Sequence, residues 1–202
     1  MCDNSDKYKS IKSKSSGYFK DRGSKFYAFA FPVKTEDDVK FHQEELRKSH
    51  HDARHHVYAF ILGADKKAYR ASDDGEPANS SGAPVLGQIR SFELTNVLVI
   101  VVRYFGGTKL GVPGLINAYK TAAYEALNAS EIETHYQMKY FKIRFDYPMM
   151  DQVSRLINDA SLEVVTRDFA VDCNMELGVR LRDADHIIQR FEDAHKIDLT
   201  VL

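Results

Sequence analysis

Residues 96–114 read "NVLVIVVRYFGGTKLGVPG". Val97–Val102 form an unbroken apolar run rich in β-branched residues, so this is a strand buried on both faces. Such a strand is central and buried, in a layer of strands under helices. Four glycines then follow within nine positions, Gly106, Gly107, Gly111 and Gly114. Pro113 suits the first turn of a helix running through "GLINAYKTAAYEALNAS". One central strand, one glycine-rich bend and one long helix make the nucleus of an α+β unit.

Working upstream, "HHVYAFILG" (55–63) and "SKFYAFAFPV" (24–33) read as further strands, the latter near a sheet edge because it ends at Pro32. Between them "TEDDVKFHQEELRKSH" reads as a helix. Thr35 is its N-cap, acids fill the first turn, and Arg47 and Lys48 close it. "APVLGQIRSFEL" reads as a short helix. Residues 1–23 are polar, Ser/Lys-rich and aperiodic, and read as a flexible basic lead-in.

Downstream of about residue 134 the pattern restarts. "QMKYFKIRFDY" alternates Tyr140, Lys142, Arg144 and Asp146 with Phe141, Ile143, Phe145 and Tyr147, the mark of a half-buried strand. "PMMDQVSRLINDA" and "DADHIIQRFEDAH" read as helices, and "LEVVTRDFA", "DCNMELGVRLR" and "IDLTVL" as strands. The order βαββαβ is that of a ferredoxin-like domain. The expected domains are therefore 24–134 and 135–202.

Composition narrows the function classes. Apolar residues make up 44 % of 202, which suits a packed globular protein, and the net charge of −1 gives no global nucleic-acid signature. Basic residues are concentrated early: seven Lys/Arg against three Asp in residues 1–25. No apolar run approaches a membrane span, and no secretory signal opens the chain. Cys2, in the lead-in, and Cys173 lie far apart, so a reduced, cytoplasmic protein without disulfides is expected.

Two stretches carry candidate chemistry. In the bend, glycines allow successive N–H groups to point inward as an anion nest, with Arg103 and Lys109 flanking a helix N-terminus. The same glycines equally serve a tight strand-to-helix turn. The spacing is neither a Rossmann fingerprint nor a Walker A loop, so no cofactor is assigned. Upstream, "ASDDGEPANSSGAPVLG" (71–87) holds Asp73, Asp74 and Glu76 on a loop of special backbone residues. These carboxylates suit a divalent cation, or pairing with Arg103, Lys109 or His55, or a partner-facing acidic surface. His50, His51, His55 and His56 are dense, but the segment crosses from helix into strand and breaks zinc geometry; no metal is assigned. Ser72, Ser80 and Ser81 lack a nucleophile elbow, and no catalytic residue is assigned. Tyr104 and Phe105 suit either base stacking or the core.

"SDDGEP" followed by "VVRYFGGTKLG", with "DARHHVYAF" before and "GLINAY" after, resembles the YigZ/IMPACT family over about residues 24–130. The resemblance implies an N-terminal domain like the second domain of a small-subunit ribosomal protein. It implies a C-terminal ferredoxin-like domain resembling the end domain of elongation factor G. It also implies a link to translation, since eukaryotic relatives regulate translation under amino-acid starvation by competing for the activator of an initiation-factor kinase. His55 matches the family's histidine. Two positions depart: Pro113 stands where the family has glycine, and Asn117 where it has a basic residue. The acidic loop also continues "NSSG" where the family has Thr-Ala-Gly.

The expected function is a cytoplasmic, non-enzymatic, translation-associated regulator that binds RNA or a ribosome-linked partner, a translation-factor protein included. No membrane and no sequence-specific DNA contact is expected. The expected binding residues are His55, Asp73, Asp74, Glu76, Arg103, Tyr104, Gly106, Gly107, Lys109, Gly111 and Gly114. The rival expectation is an enzyme acting on a small phosphorylated or nucleotide-like ligand between the 71–77 and 103–114 loops.

Overall fold

A computed structural model describes residues 6–169, 172–194 and 196–202. The elements in chain order are β1 (Lys7–Ile11), β2 (Ser15–Asp21), β3 (Ser24–Pro32), α1 (Glu36–Ser49), β4 (His55–Leu62), β5 (Ala68–Ser72), α2 (Gly82–Ser91), β6 (Val97–Tyr104) and α3 (Gly111–Asn128). There follow β7 (Ile132–Tyr136), β8 (Met138–Phe145), α4 (Met150–Asp159), β9 (Glu163–Phe169), β10 (Cys173–Arg180), α5 (Ala184–Glu192) and β11 (Ile197–Val201). The chain divides into two units: Tyr8–His135, and the stretch to Lys7 together with Tyr136–Leu202.

The first unit is built on a five-stranded antiparallel sheet in the order β2-β3-β6-β4-β5. β6 lies at its centre because its apolar run supplies both faces. Val97, Val99 and Val101 pack with Phe26, Val57 and Tyr119 under α2 and α3. Leu98, Ile100 and Val102 pack with Phe31, Phe60 and Leu46 under α1. Burying each such side chain contributes about 1.5–3 kcal/mol. α1 is held at its start by a capping box: Thr35 Oγ1 accepts from the Asp38 N–H, and the Asp38 carboxylate accepts from the Thr35 N–H.

The second unit carries a four-stranded antiparallel sheet in the order β11-β8-β10-β9, with α4 and α5 in the connections. Its element order from β8 onward is βαββαβ. Phe141, Ile143 and Phe145 of β8 face Val153, Ile188 and Phe191 of the helices, while Lys142 and Arg144 alternate to the other face.

The flexible lead-in is corrected. Residues 7–11 and 15–21 are strands, because β2 closes the open edge of β3 and β1 pairs with β7 in a two-stranded ribbon. Asp6 is buried, and Arg180 donates to both of its oxygens at 2.8 and 3.0 Å, a bidentate fork. Part of the early basic charge is spent on ion pairs, Lys9 with Glu93 and Lys12 with Glu131. Cys2 lies outside the described residues; Cys173 is free and buried. Two further strands had no sequence signal, the exposed edge β5 and the ribbon strand β7. Among the described residues, no helix is long and apolar enough to cross a membrane.

Candidate functional site

The loop after β5 reaches the glycine bend through one carboxylate. Glu76 Oε1 accepts from Arg103 Nη1 at 2.5 Å and from the Tyr119 hydroxyl at 2.8 Å, with His55 Nε2 4.0 Å away. The Glu76 and Arg103 side chains are only 4 % and 7 % exposed. Burial, and then the Glu76 charge, push the Tyr119 hydroxyl well above its ordinary value, so it stays a proton donor to that carboxylate. Arg103 also lies over the rings of Phe26 and Phe105.

The two aspartates have other duties. Asp73 Oδ1 accepts from the N–H groups of Ser81 and Gly82 and from the Ser81 hydroxyl, and Oδ2 accepts from the Asn79 N–H. It thereby caps α2, whose N-cap Ser81 makes no side-chain cap bond of its own. Burial opposes its charge, but the Ser81 hydroxyl and these N–H donors outweigh it and hold the carboxyl below the usual aspartate value. Asp74 accepts from the His56 N–H at 2.6 Å and from Arg47 at 2.8 Å, joining β4 to the end of α1. Its burial is likewise outweighed, by the His56 N–H and then by Arg47. Asp74 and Gly75 hold φ of +43° and +86°, a left-handed pair that turns the chain so all three carboxylates point inward. His55 Nδ1 lies 2.9 Å from the Asp74 carbonyl, which only accepts, so that nitrogen carries the proton.

The loops thus meet at Glu76, Arg103 and His55, and every carboxylate is occupied by donors from the protein itself. Among the described residues no group of three His, Cys, Asp or Glu is arranged to hold a metal. The other expected residues lie beyond this junction. Gly106 packs on the β2–β3 turn: an added Cβ would sit 1.8 Å from Gly23 C, and its N–H donates to Ser24 Oγ at 3.1 Å. Gly107 and Gly111 hold φ of +90° and +71°, and Gly114 lies in the first turn of α3. Lys109 is exposed, and among the described residues the carboxylates that were its expected partners pair with other donors. Tyr104 turns to the other side of the sheet from Arg103, where its hydroxyl meets His50 Nδ1 at 2.8 Å and Asp52 at 3.1 Å.

Sequence reasoning passed over Arg47, Ser81 and Tyr119. Tyr119 had a signal, since it falls on the buried face of α3 with Leu115 and Ala122. Arg47 and Ser81 had none, because their partners lie 27 and 8 residues away in a loop of unpredictable path.

Residues 22–127 match the Impact N-terminal domain. An IMPACT family member of Haemophilus influenzae is 30 % identical over 77 % of this chain and 77 % of its own. The protein IMPACT homolog of Saccharomyces cerevisiae is 36 % identical over 53 % of this chain and 42 % of its own. A solved structure described as a hypothetical protein shares the fold, with a TM-score of 0.72, 22 % identity and 97 % of both chains covered.

Proposed function

The chain belongs to the IMPACT family, and from that premise we propose that it is a non-enzymatic regulator associated with translation, binding RNA or a ribosome-linked protein. The reading takes residues 24–134 as the counterpart of a ribosomal-protein domain and 135–202 as the counterpart of the end domain of elongation factor G. The glycine bend, with Lys109, is its contact surface, and His55, Asp73, Asp74, Glu76 and Arg103 brace that surface from beneath.

One observation carries the choice of binding over catalysis. Asp73, Asp74 and Glu76 are each engaged by two or more of the protein's own donors. A substrate entering there would have to displace a buried guanidinium, a helix cap and a strand N–H, at a cost of several kcal/mol. The test is fractionation of cell lysate on a density gradient at low and high salt, following the chain with an antibody. Co-sedimentation with ribosomal particles at low salt supports the reading. A chain confined to the top fractions under every condition rejects it.

A further inference from the structure

Beside the glycine bend, the α1 side of the sheet carries cations and aromatic rings at one corner. In the β2–β3 hairpin Lys20 stands directly opposite Lys25, and Tyr18 directly opposite Tyr27. On the next strand Tyr104 stands opposite Lys25. Directly paired residues share a sheet face, so these five side chains project from one surface. Two lysines facing each other across a hairpin repel, which costs stability unless an anion joins them. Among the described residues, Lys20, Arg22 and Lys25 form no ion pair. Arg22 occupies the turn with φ +43°, a conformation that Asn or Gly adopts more readily, so local stability does not account for an arginine there.

Two rings at this corner are open to solvent. Tyr18 is 47 % exposed and its ring lies 5.0 Å from that of Tyr27; Phe105 is 55 % exposed. α1 does not cover this corner, because its buried residues Val39 and Leu46 pack farther along the sheet with Phe31, Phe60 and Leu62. A depression of about 580 Å³ remains, lined by Lys25, Tyr27, His50, Asp52, Tyr104 and Phe105. Asp52 is the acid in it and accepts from the Tyr104 hydroxyl. The nearby Asp21 stands opposite Ser24, one residue out of phase with Lys20 and therefore on the other face.

We infer that this corner binds single-stranded RNA, with bases stacked on Tyr18 and Phe105 and phosphates held by Lys20, Arg22 and Lys25. The inference rests on the RNA branch of the function proposed above and assigns it to the surface beside the glycine bend, where Gly106 packs on the β2–β3 turn. Exposed ring faces beside unpaired cations suit unstacked bases on a flexible backbone. A duplex keeps its bases stacked inside and would leave the rings idle. An acidic peptide would match the charge but not the rings.

The test measures fluorescence anisotropy of a labelled twelve-nucleotide oligouridine with the full chain. Tyr18→Ala is expected to weaken binding about tenfold, and Tyr18→Phe to keep it, since stacking needs the ring and not the hydroxyl. Lys20→Ala with Lys25→Ala is expected to flatten the slope of log affinity against log salt by about 1.4, two phosphates at about 0.7 each. Duplex RNA of the same length should bind less well. All these positions are exposed, so the variants should fold, and circular dichroism checks it. No binding at low salt, equal affinity for all variants, preference for duplex, or displacement by polyglutamate better than by RNA would overturn the inference. The two readings separate cleanly. Ribosome co-sedimentation without oligouridine binding removes this surface alone, and oligouridine binding without co-sedimentation removes the translation role alone.

Discussion

Glu76 and Arg103 form an ion pair at 2.5 Å in which both side chains are more than nine-tenths buried. The pair joins the loop after β5 to the end of the central strand, and Tyr119 ties the same oxygen to α3. Breaking a buried pair from one side leaves an uncompensated charge, which costs about 3–5 kcal/mol.

Glu76→Ala should therefore lower unfolding stability by about that amount in a urea titration. The double change Glu76→Leu with Arg103→Met should cost clearly less than the sum of the single variants, because neither charge is stranded. Additive losses would mean the two groups are energetically independent.

Gly106→Ala and Gly87→Ala form a contrasting pair. A Cβ at Gly106 would collide with the backbone of Gly23, so the hairpin must shift, at a cost of about 1–3 kcal/mol or more. A Cβ at Gly87, inside α2, meets nothing within 4 Å. That change should stabilise by about 0.5–1 kcal/mol through helix propensity. Thermal unfolding of the two variants should move in opposite directions.

Asp73→Ala should remove the cap of α2 and cost about 0.5–2 kcal/mol, with Asp73→Asn losing less because one acceptor oxygen remains. Hydrogen exchange should rise first at Ser81 and Gly82, whose N–H groups the carboxylate now holds. Unchanged protection at those two amides would contradict the capping role.

His56 is buried, and burial, then the nearby Arg47, depress its pKa below the ordinary 6.5. The unfolded chain therefore takes up a proton there at a pH where the folded chain does not. Stability should fall as pH drops below about 6.5, with a slope of up to about 1.4 kcal/mol per unit for this group. His42, also lowered chiefly by burial, adds to the same window. His56→Leu should flatten the slope between pH 6.5 and 5. A second loss should begin below about pH 3.8, where the depressed Asp73 and Asp74 of the native state have unfolded counterparts that protonate first. A stability profile flat from pH 7 to 5 would rule out the histidine account.

Much of the scaffold was legible because its signals are local. β6 announced itself through an apolar run that only a twice-covered strand tolerates. α1 carried its capping residue and its charge gradient, and the βαββαβ order of the second unit showed in hydrophobic periods of two and 3.6. β1 and β2 were not legible, since "KYKSI" and "SSGYFKD" are polar and their stability comes from partners, β7 lying some 120 residues away in β1's case.

The candidate site divides the same way. The sequence alone determined that a glycine bend follows the central strand and that an acidic loop precedes α2, because backbone permissiveness and charge are properties of the residues themselves. The tertiary structure alone decided where each charge goes. Asp73 became a helix cap, Asp74 a link between Arg47 and the start of β4, and Glu76 a buried partner of Arg103 and Tyr119. A carboxylate's role is set by the donors within about 3 Å of it, and here those donors come from residues 47, 56, 79, 81, 82, 103 and 119, which only the folded chain brings together.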